Sequence, residues 1–168
     1  RWTRDAGDRG PLFARAGLAF TRLDRGGRPA VYLQVAPDAA PTRLVEGWTL
    51  DDVDAAGTRG LVRAGKLLAW LDLATRAVTP IPTDPKVGTA AATRLSGDGT
   101  WLAVLTQNTF LRVELATGAA TPLYEVPPGQ TAGPPSVLSD GRIAFRPEIW
   151  LGELYELEGR WASPAQRP

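Results

Sequence analysis

The stretch that decides the fold is ATRLSGDGTWLAVLTQNTFLRVELATGAATPL, residues 92–123. It turns on Ser-Gly-Asp-Gly, runs apolar through WLAVLT (101–106), breaks at Gln-Asn-Thr, and runs apolar again through FLRVEL (110–115). It then turns on Ala-Thr-Gly and ends in a short segment, ATPL (120–123). Short runs rich in Val, Leu, Thr and aromatics, punctuated every eight to twelve residues by turn residues, predict strands. In the Asp-Gly turn the Asp side chain bonds its own backbone and the Gly accepts positive φ. A strand that is apolar at every position is packed on both faces.

The grammar repeats. LDLATRAVTPI (71–81) returns as VELATGAATPL (113–123) and again as YELEGRWASP (155–164), each time displaced by 42 residues. SDGRIAF (139–145) echoes the turn and strand of 97–104, and GLAFTRLDRGGRPAVYLQVAPDAAPTRL (17–44) has the same shape at the front. Four repeats follow, at roughly 8–48, 49–86, 87–129 and 130–168, in a single domain over 1–168. A period of 40–45 residues fits propeller blades or helical arrays. The 15 prolines and 18 glycines break any long helix, so the choice falls on β. One helical turn is allowed within RLVEGWTLDDVDAAG (43–57). Each repeat reads as four strands, with hairpin turns at DRGGRP (24–29), AGK (64–66) and QNT (107–109). The expected fold is all-β: about four blades of four antiparallel strands, as an open or partial propeller. Phe20, Leu61, Val104 and Phe145 are expected in equivalent apolar strands.

The elements SGDGTWLAVLT, LSDGRIAF and 17–47 resemble the blade repeat of the TolB-like and dipeptidyl-peptidase-like (WD40-like) β-propellers. The resemblance implies a propeller and no particular activity. The sequence departs from the family pattern in two ways. Only four repeats are visible, where the family commonly has six to eight blades. The second repeat also shows no Ser-x-Asp-Gly turn before 58–65, and the fourth shortens it to Ser-Asp-Gly.

Composition narrows the function. The chain has 168 residues, 43% hydrophobic and 22% charged, enough for a domain with a real core. A net charge of +1 argues against a dedicated nucleic-acid binder. His, Cys and Met are absent, which removes a His-based triad and any His or Cys metal site. There is no Gly-x-Ser-x-Gly elbow and no phosphate-cradling loop ahead of a helix. With no initiator Met, Arg1 is expected to follow a processed or longer precursor, and an extracytoplasmic (periplasmic or secreted) location is expected. No apolar run approaches the ~20 residues of a membrane span.

Carboxylates and tryptophans remain. Asp51, Asp52 and Asp54 sit near Gly57 and suggest a calcium loop, but lack its closing Glu, so a solvated inter-blade loop is expected. Glu148, Glu153, Glu156 and Glu158 fit the polar face of the last repeat better than an acid/base pair. Trp70, Trp101 and Trp150 lie in or beside strand cores, whereas Trp2, Trp48 and Trp161 fall near segment ends. Asp98 and Asp140 recur as turn residues.

The function expected is a non-catalytic propeller module, with no cofactor, that contacts another protein or a larger, membrane-associated complex. An open arc leaves blade edges to be covered. The segment EIWLGELYELEGRW (148–161), apolar mixed with acidic, is the expected contact, and Trp48, Trp150, Leu154 and Trp161 are the candidate contact residues. The alternatives are the substrate-gating propeller of a prolyl-oligopeptidase-like serine peptidase and a carbohydrate-binding propeller.

Overall fold

A computed structural model describes residues 8–83, 87, 90–138 and 140–149. The described residues contain sixteen strands and no α-helix. Blade 1 is the sheet of β1 (Asp8–Ala14), β2 (Gly17–Leu23), β3 (Pro29–Gln34) and β4 (Thr42–Glu46). Blade 2 holds β5 (Thr49–Val53), β6 (Arg59–Ala64), β7 (Leu67–Asp72) and β8 (Val78–Pro80). Blade 3 holds β9 (Ala92–Leu95), β10 (Trp101–Leu105), β11 (Thr109–Glu114) and β12 (Ala120–Glu125). All three are antiparallel in sequence order, as a chain turning back at every hairpin must be. The region expected to allow a helical turn is strand instead, in β4 and β5.

The fourth repeat departs from this plan within the described residues. It forms two two-stranded ribbons: β13 (Gln130–Ala132) with β16 (Pro147–Ile149), and β14 (Ser136–Val137) with β15 (Ile143–Ala144). Phe145 lies just beyond β15, half-buried, rather than inside a long apolar strand. The three blades and these ribbons form an unclosed array.

The second strand of each blade is buried on both faces: Phe20, Leu61, Val62 and Val104 are fully enclosed. Cross-strand partners share a face, so the register shows which residues look toward the neighbouring blade. Ala19, Val31 and Leu33 of blade 1 meet Val62, Ala69 and Leu71 of blade 2. Leu61 and Leu68 of blade 2 meet Leu102, Val104, Leu111 and Val113 of blade 3. Leu105 and Phe110 of blade 3 meet Ile143 and Phe145. Each blade therefore has a leading face, on the side of lower residue numbers, and a trailing face toward the next blade.

The 42-residue offset is geometric. Val62 pairs with Ala69, and Val104 with Leu111, so each partner is displaced by the same 42. The turn that the second repeat was expected to lack is present, built from different residues. Asp54 N donates to Arg59 O at 2.9 Å and Gly57 N to Asp54 O at 2.8 Å. In blade 3, Ser96 N donates to Trp101 O and Gly99 N to Ser96 O, both at 2.9 Å. Asp54-Ala-Ala-Gly57 is thus the blade 2 form of Ser96-Gly-Asp-Gly99. One carboxylate does the work of two side chains: Asp54 Oδ1 accepts from the amides of Thr58 and Arg59. In blade 3 Asp98 Oδ1 takes the Thr100 amide and Ser96 Oγ takes that of Trp101.

Candidate functional site

The first strands β1, β5 and β9 stand side by side. Between them lies a cavity of about 370 Å³, lined by Gly10, Leu12, Thr49, Asp51, Arg63, Thr93, Arg94 and Pro134, among others. Its polar centre is Asp51. Arg63 donates to Asp51 Oδ2 through Nε at 2.8 Å and Nη2 at 2.6 Å, and Thr93 Oγ1 donates to the same oxygen at 2.6 Å. Arg63 also reaches Thr93 Oγ1 and the carbonyl of Ala90. Arg94 Nη1 donates to the Asp51 carbonyl at 3.0 Å, and Asp52 Oδ2 accepts from the Leu95 amide at 2.8 Å. Asp51 and Thr93 are 42 residues apart, at the same position of successive blades. Their contact follows from the repeat once the first strands are known to be neighbours, but no short-range signal in the sequence points to it.

This placement corrects the reading of 51–57 as a solvated loop. Asp51 and Asp52 lie in β5, and each ties blade 2 to blade 3. Asp54 is only 9% exposed and closes the turn. Burial pushes its pKa up, but the amides of Arg59 and Thr58 outweigh that, so it lies below the ordinary carboxylate value. Asp98 is lowered too, first by the Ser96 hydroxyl and then by Thr100. Among the described residues, no three carboxylates gather as metal ligands. The chemistry on offer at the cavity is charge pairing, because the Asp51 oxygen that faces Arg63 already holds three donors.

Two tryptophans are held by arginines. The Arg59 guanidinium lies 4.4 Å from the Trp70 ring centre, and that of Arg112 lies 4.7 Å from Trp101. Arg59 and Trp101 occupy equivalent positions, and so do Trp70 and Arg112. The same contact is made twice with its partners exchanged. Aligned position by position, the sequence shows two mismatches here; the exchange appears only when both positions are seen to touch.

Of the candidate contact residues, Trp48 is half-buried against the cluster between blades 1 and 2. Trp150, Leu154 and Trp161 lie outside the described residues, as do Trp2, Glu153, Glu156 and Glu158. Glu148 is in β16. Exposed apolar surface is found elsewhere. Phe13 (77%) and Val35 (63%) lie at one end of blade 1, Leu67 at the hairpin of blade 2, and Leu123 (49%) and Tyr124 (45%) on β12. The Tyr124 ring is 5.4 Å from Phe145 and 6.5 Å from Phe110, so the exposed strand continues an aromatic cluster.

No protein-family model and no curated protein matches the chain. Solved structures do. TolB from Acinetobacter baumannii superposes with a TM-score of 0.62 at 16% identity, over 87% of this chain and 44% of that one. The β-propeller domain of the Trilobed protease from Pyrococcus furiosus, described as having an open velcro topology, superposes with a TM-score of 0.52 at 12% identity, over 74% and 44%. The chain spans less than half the length of each. At these identities the likeness carries the fold alone. The three four-stranded sheets are β-propeller blades, and the described residues form an unclosed run of them.

Proposed function

We propose that this propeller module is non-catalytic and binds another protein along the outer edge of blade 3. The observation that carries the reading is β12. An outer strand offers unpaired amides and carbonyls to any passing strand, and edges are normally blunted. In blade 1 the outer strand β4 is charged, with Arg43 paired to Glu46. In blade 2 the outer strand β8 is three residues long and ends in Pro80. In blade 3, β12 is six residues long and exposed at five of them; its Pro122 repeats Pro80, but the strand runs three residues further, through Leu123, Tyr124 and Glu125, and so offers an edge that β8 lacks. Its sequence fits β-augmentation, with Tyr124 as an aromatic anchor. The Asp51 node supports a non-catalytic role, since its charge is spent on joining blades.

The test is binding of the full chain to its native partner. Leu123→Lys with Tyr124→Lys is expected to abolish binding, and Leu123→Lys alone, which leaves the Tyr124–Phe110–Phe145 cluster in place, to weaken it with the melting temperature within a degree or two of the parent. Binding that survives both changes moves the contact elsewhere. An extracytoplasmic location belongs to the same proposal and is checked by cell fractionation.

The likeness to a protease's propeller domain favours a second reading, a substrate-gating propeller. It requires a hydrolase domain with a nucleophile elbow in the same reading frame or complex. Failure to find one ends that reading and leaves the first untouched.

A further inference from the structure

Two arginines line the cavity between the first strands, and only one has its charge met by a carboxylate. Arg63 is paired with Asp51 at 2.6 Å. Arg94, on β9, has no carboxylate partner among the described residues. Asp52, next to Asp51 on β5, gives its oxygens to the amides of Val53 and Leu95 instead. The charged groups on the cavity wall are thus Asp51, Arg63 and Arg94, with a net single positive charge.

The geometry of Arg94 is that of a held donor. Its Nη1 donates to two main-chain carbonyls, Asp51 O at 3.0 Å and Thr93 O at 2.9 Å, one on each of two neighbouring strands. That clamp fixes the guanidinium and leaves its Nε and Nη2 with no hydrogen-bond partner among the described residues. Neither nitrogen is buried, since every buried side-chain nitrogen and oxygen among those residues has a partner. Nε and Nη2 together form an edge of the guanidinium that meets both oxygens of a carboxylate at once. An edge fixed before a ligand arrives saves the ordering cost of binding. The remaining wall includes apolar side chains, among them Leu12, Ala91, Ala92 and Pro134. The volume of about 370 Å³ falls within the range of small-ligand sites.

We propose that this cavity binds a carboxylate carrying a short apolar group. The Nε–Nη2 edge of Arg94 takes the two oxygens, and the apolar group lies against Leu12, Ala92 and Pro134. A small free acid and the C-terminus of a peptide share this chemistry. Asp51 and Arg63 neutralise each other, so Arg94 supplies the attraction. The site is separate from β12, and neither reading depends on the other.

The probe is isovalerate, titrated into the full chain and followed by calorimetry and by the Arg94 Nε–H resonance, which is assigned by its loss in Arg94→Lys. A saturable shift of that resonance is expected. Isovaleramide, equal in shape but uncharged, is expected to bind about tenfold more weakly or worse. Equal binding of acid and amide, inorganic phosphate binding in place of isovalerate, or no saturable shift overturns the proposal. Arg94→Lys keeps the charge but not the planar edge, and is expected to weaken isovalerate about tenfold or more. Pro134→Trp narrows the cavity from an exposed position on its wall, and is expected to abolish binding with the Arg94 resonance of the free protein in place. Full binding by either variant overturns the proposal. If Arg94→Lys does not fold, Pro134→Trp and the acid–amide comparison decide. The tripeptide Ala-Ala-Leu, with a free or an amidated C-terminus, separates the two sources. Tighter binding of its free-acid form than of isovalerate supports a chain end, and weaker binding supports a free acid.

Discussion

In blade 2 the turn before the buried strand is Asp54–Gly57; in blade 3 it is Ser96–Gly99, 42 residues on. The backbone bonds match one for one. The match continues in the outer turn. Asp72 N donates to Ala77 O and Arg76 N to Asp72 O, just as Glu114 N donates to Ala119 O and Gly118 N to Glu114 O. Arg76, with φ of 65°, stands where Gly118, with φ of 72°, stands in blade 3. The Arg59–Trp70 contact becomes Trp101–Arg112. The repeat is therefore a repeat of backbone hydrogen bonds and of touching pairs. Side-chain identity is not what it conserves, since even the left-handed position holds Arg in one blade and Gly in the next.

The comparison breaks most severely where the two blades share a core. Val104, on the face toward blade 2, has no exposed surface, and a carboxylate there has no partner. Val104→Asp is expected to cost more than about 4 kcal/mol or to prevent folding, and Val62→Asp to do the same. Urea melts measure both. A mild loss at Val62 beside a severe one at Val104 would show that the equivalence ends at the backbone.

Next comes a pair of glycines that the repeat makes equivalent and the packing does not. Gly57 and Gly99 both have positive φ, 68° and 70°. A Cβ on Gly57 would lie 2.4 Å from the amide nitrogen of Arg15 in blade 1, whereas one on Gly99 meets nothing within 4 Å. Gly99→Ala is expected to cost about 1 kcal/mol for the left-handed backbone alone. Gly57→Ala adds a clash with backbone that cannot move aside, and is expected to cost at least about 2 kcal/mol more. Equal losses would mean that the Arg15–Gly57 contact between blades 1 and 2 is loose.

The Asp54 carboxylate sharpens the comparison through pH. Its pKa is lowered in the folded chain, so the stability it contributes is full above the unfolded value of about 3.9. That stability is lost as pH falls through the folded value. Asp54→Asn is expected to cost roughly 1–2 kcal/mol at pH 7, the worth of a charge-assisted bond. The gap from the parent should close as pH drops below about 4. Asp98, exposed at the equivalent turn, should show a much weaker pH-dependent gap on changing to Asn. A gap for Asp54 that stays constant from pH 7 to 3 would mean that the carboxylate acts by shape, not charge.

The smallest expected effect tests the exchange itself. Trp101→Arg with Arg112→Trp gives blade 3 the arrangement of blade 2, and sets the introduced guanidinium opposite Glu114 as Arg59 is opposite Asp72. Each single change is expected to lose the contact and the double change to recover it, with a coupling of about 0.5–1 kcal/mol. Additive losses would mean that the two contacts are only alike in appearance.

Much of the blade is legible in the sequence, for local reasons. The Asp98 and Asp140 turns, the hairpin at Gln107–Asn108 and the all-apolar WLAVL strand carry their own signals, because turn geometry and burial on both faces constrain residues close in sequence. The blade 2 turn escapes such a reading because Asp54 reaches the amides from the first position of the turn instead of the third. The node at Asp51 reads as a loop because nothing near it in sequence names Arg63 or Thr93 as its partners.

The period, the strand order within each blade and the absence of a long helix are thus written along the chain, since they follow from turn chemistry and alternation over a few residues. Which face of each blade meets which neighbour is settled only by packing. So are the binding of Asp51 and Asp52 to blade 3 and the exchange of Arg and Trp between blades. Those outcomes depend on residues brought together across sheets. There the physical requirement falls on the pair: one cation and one ring, or one carboxylate and its donors. Either member satisfies that requirement from either side.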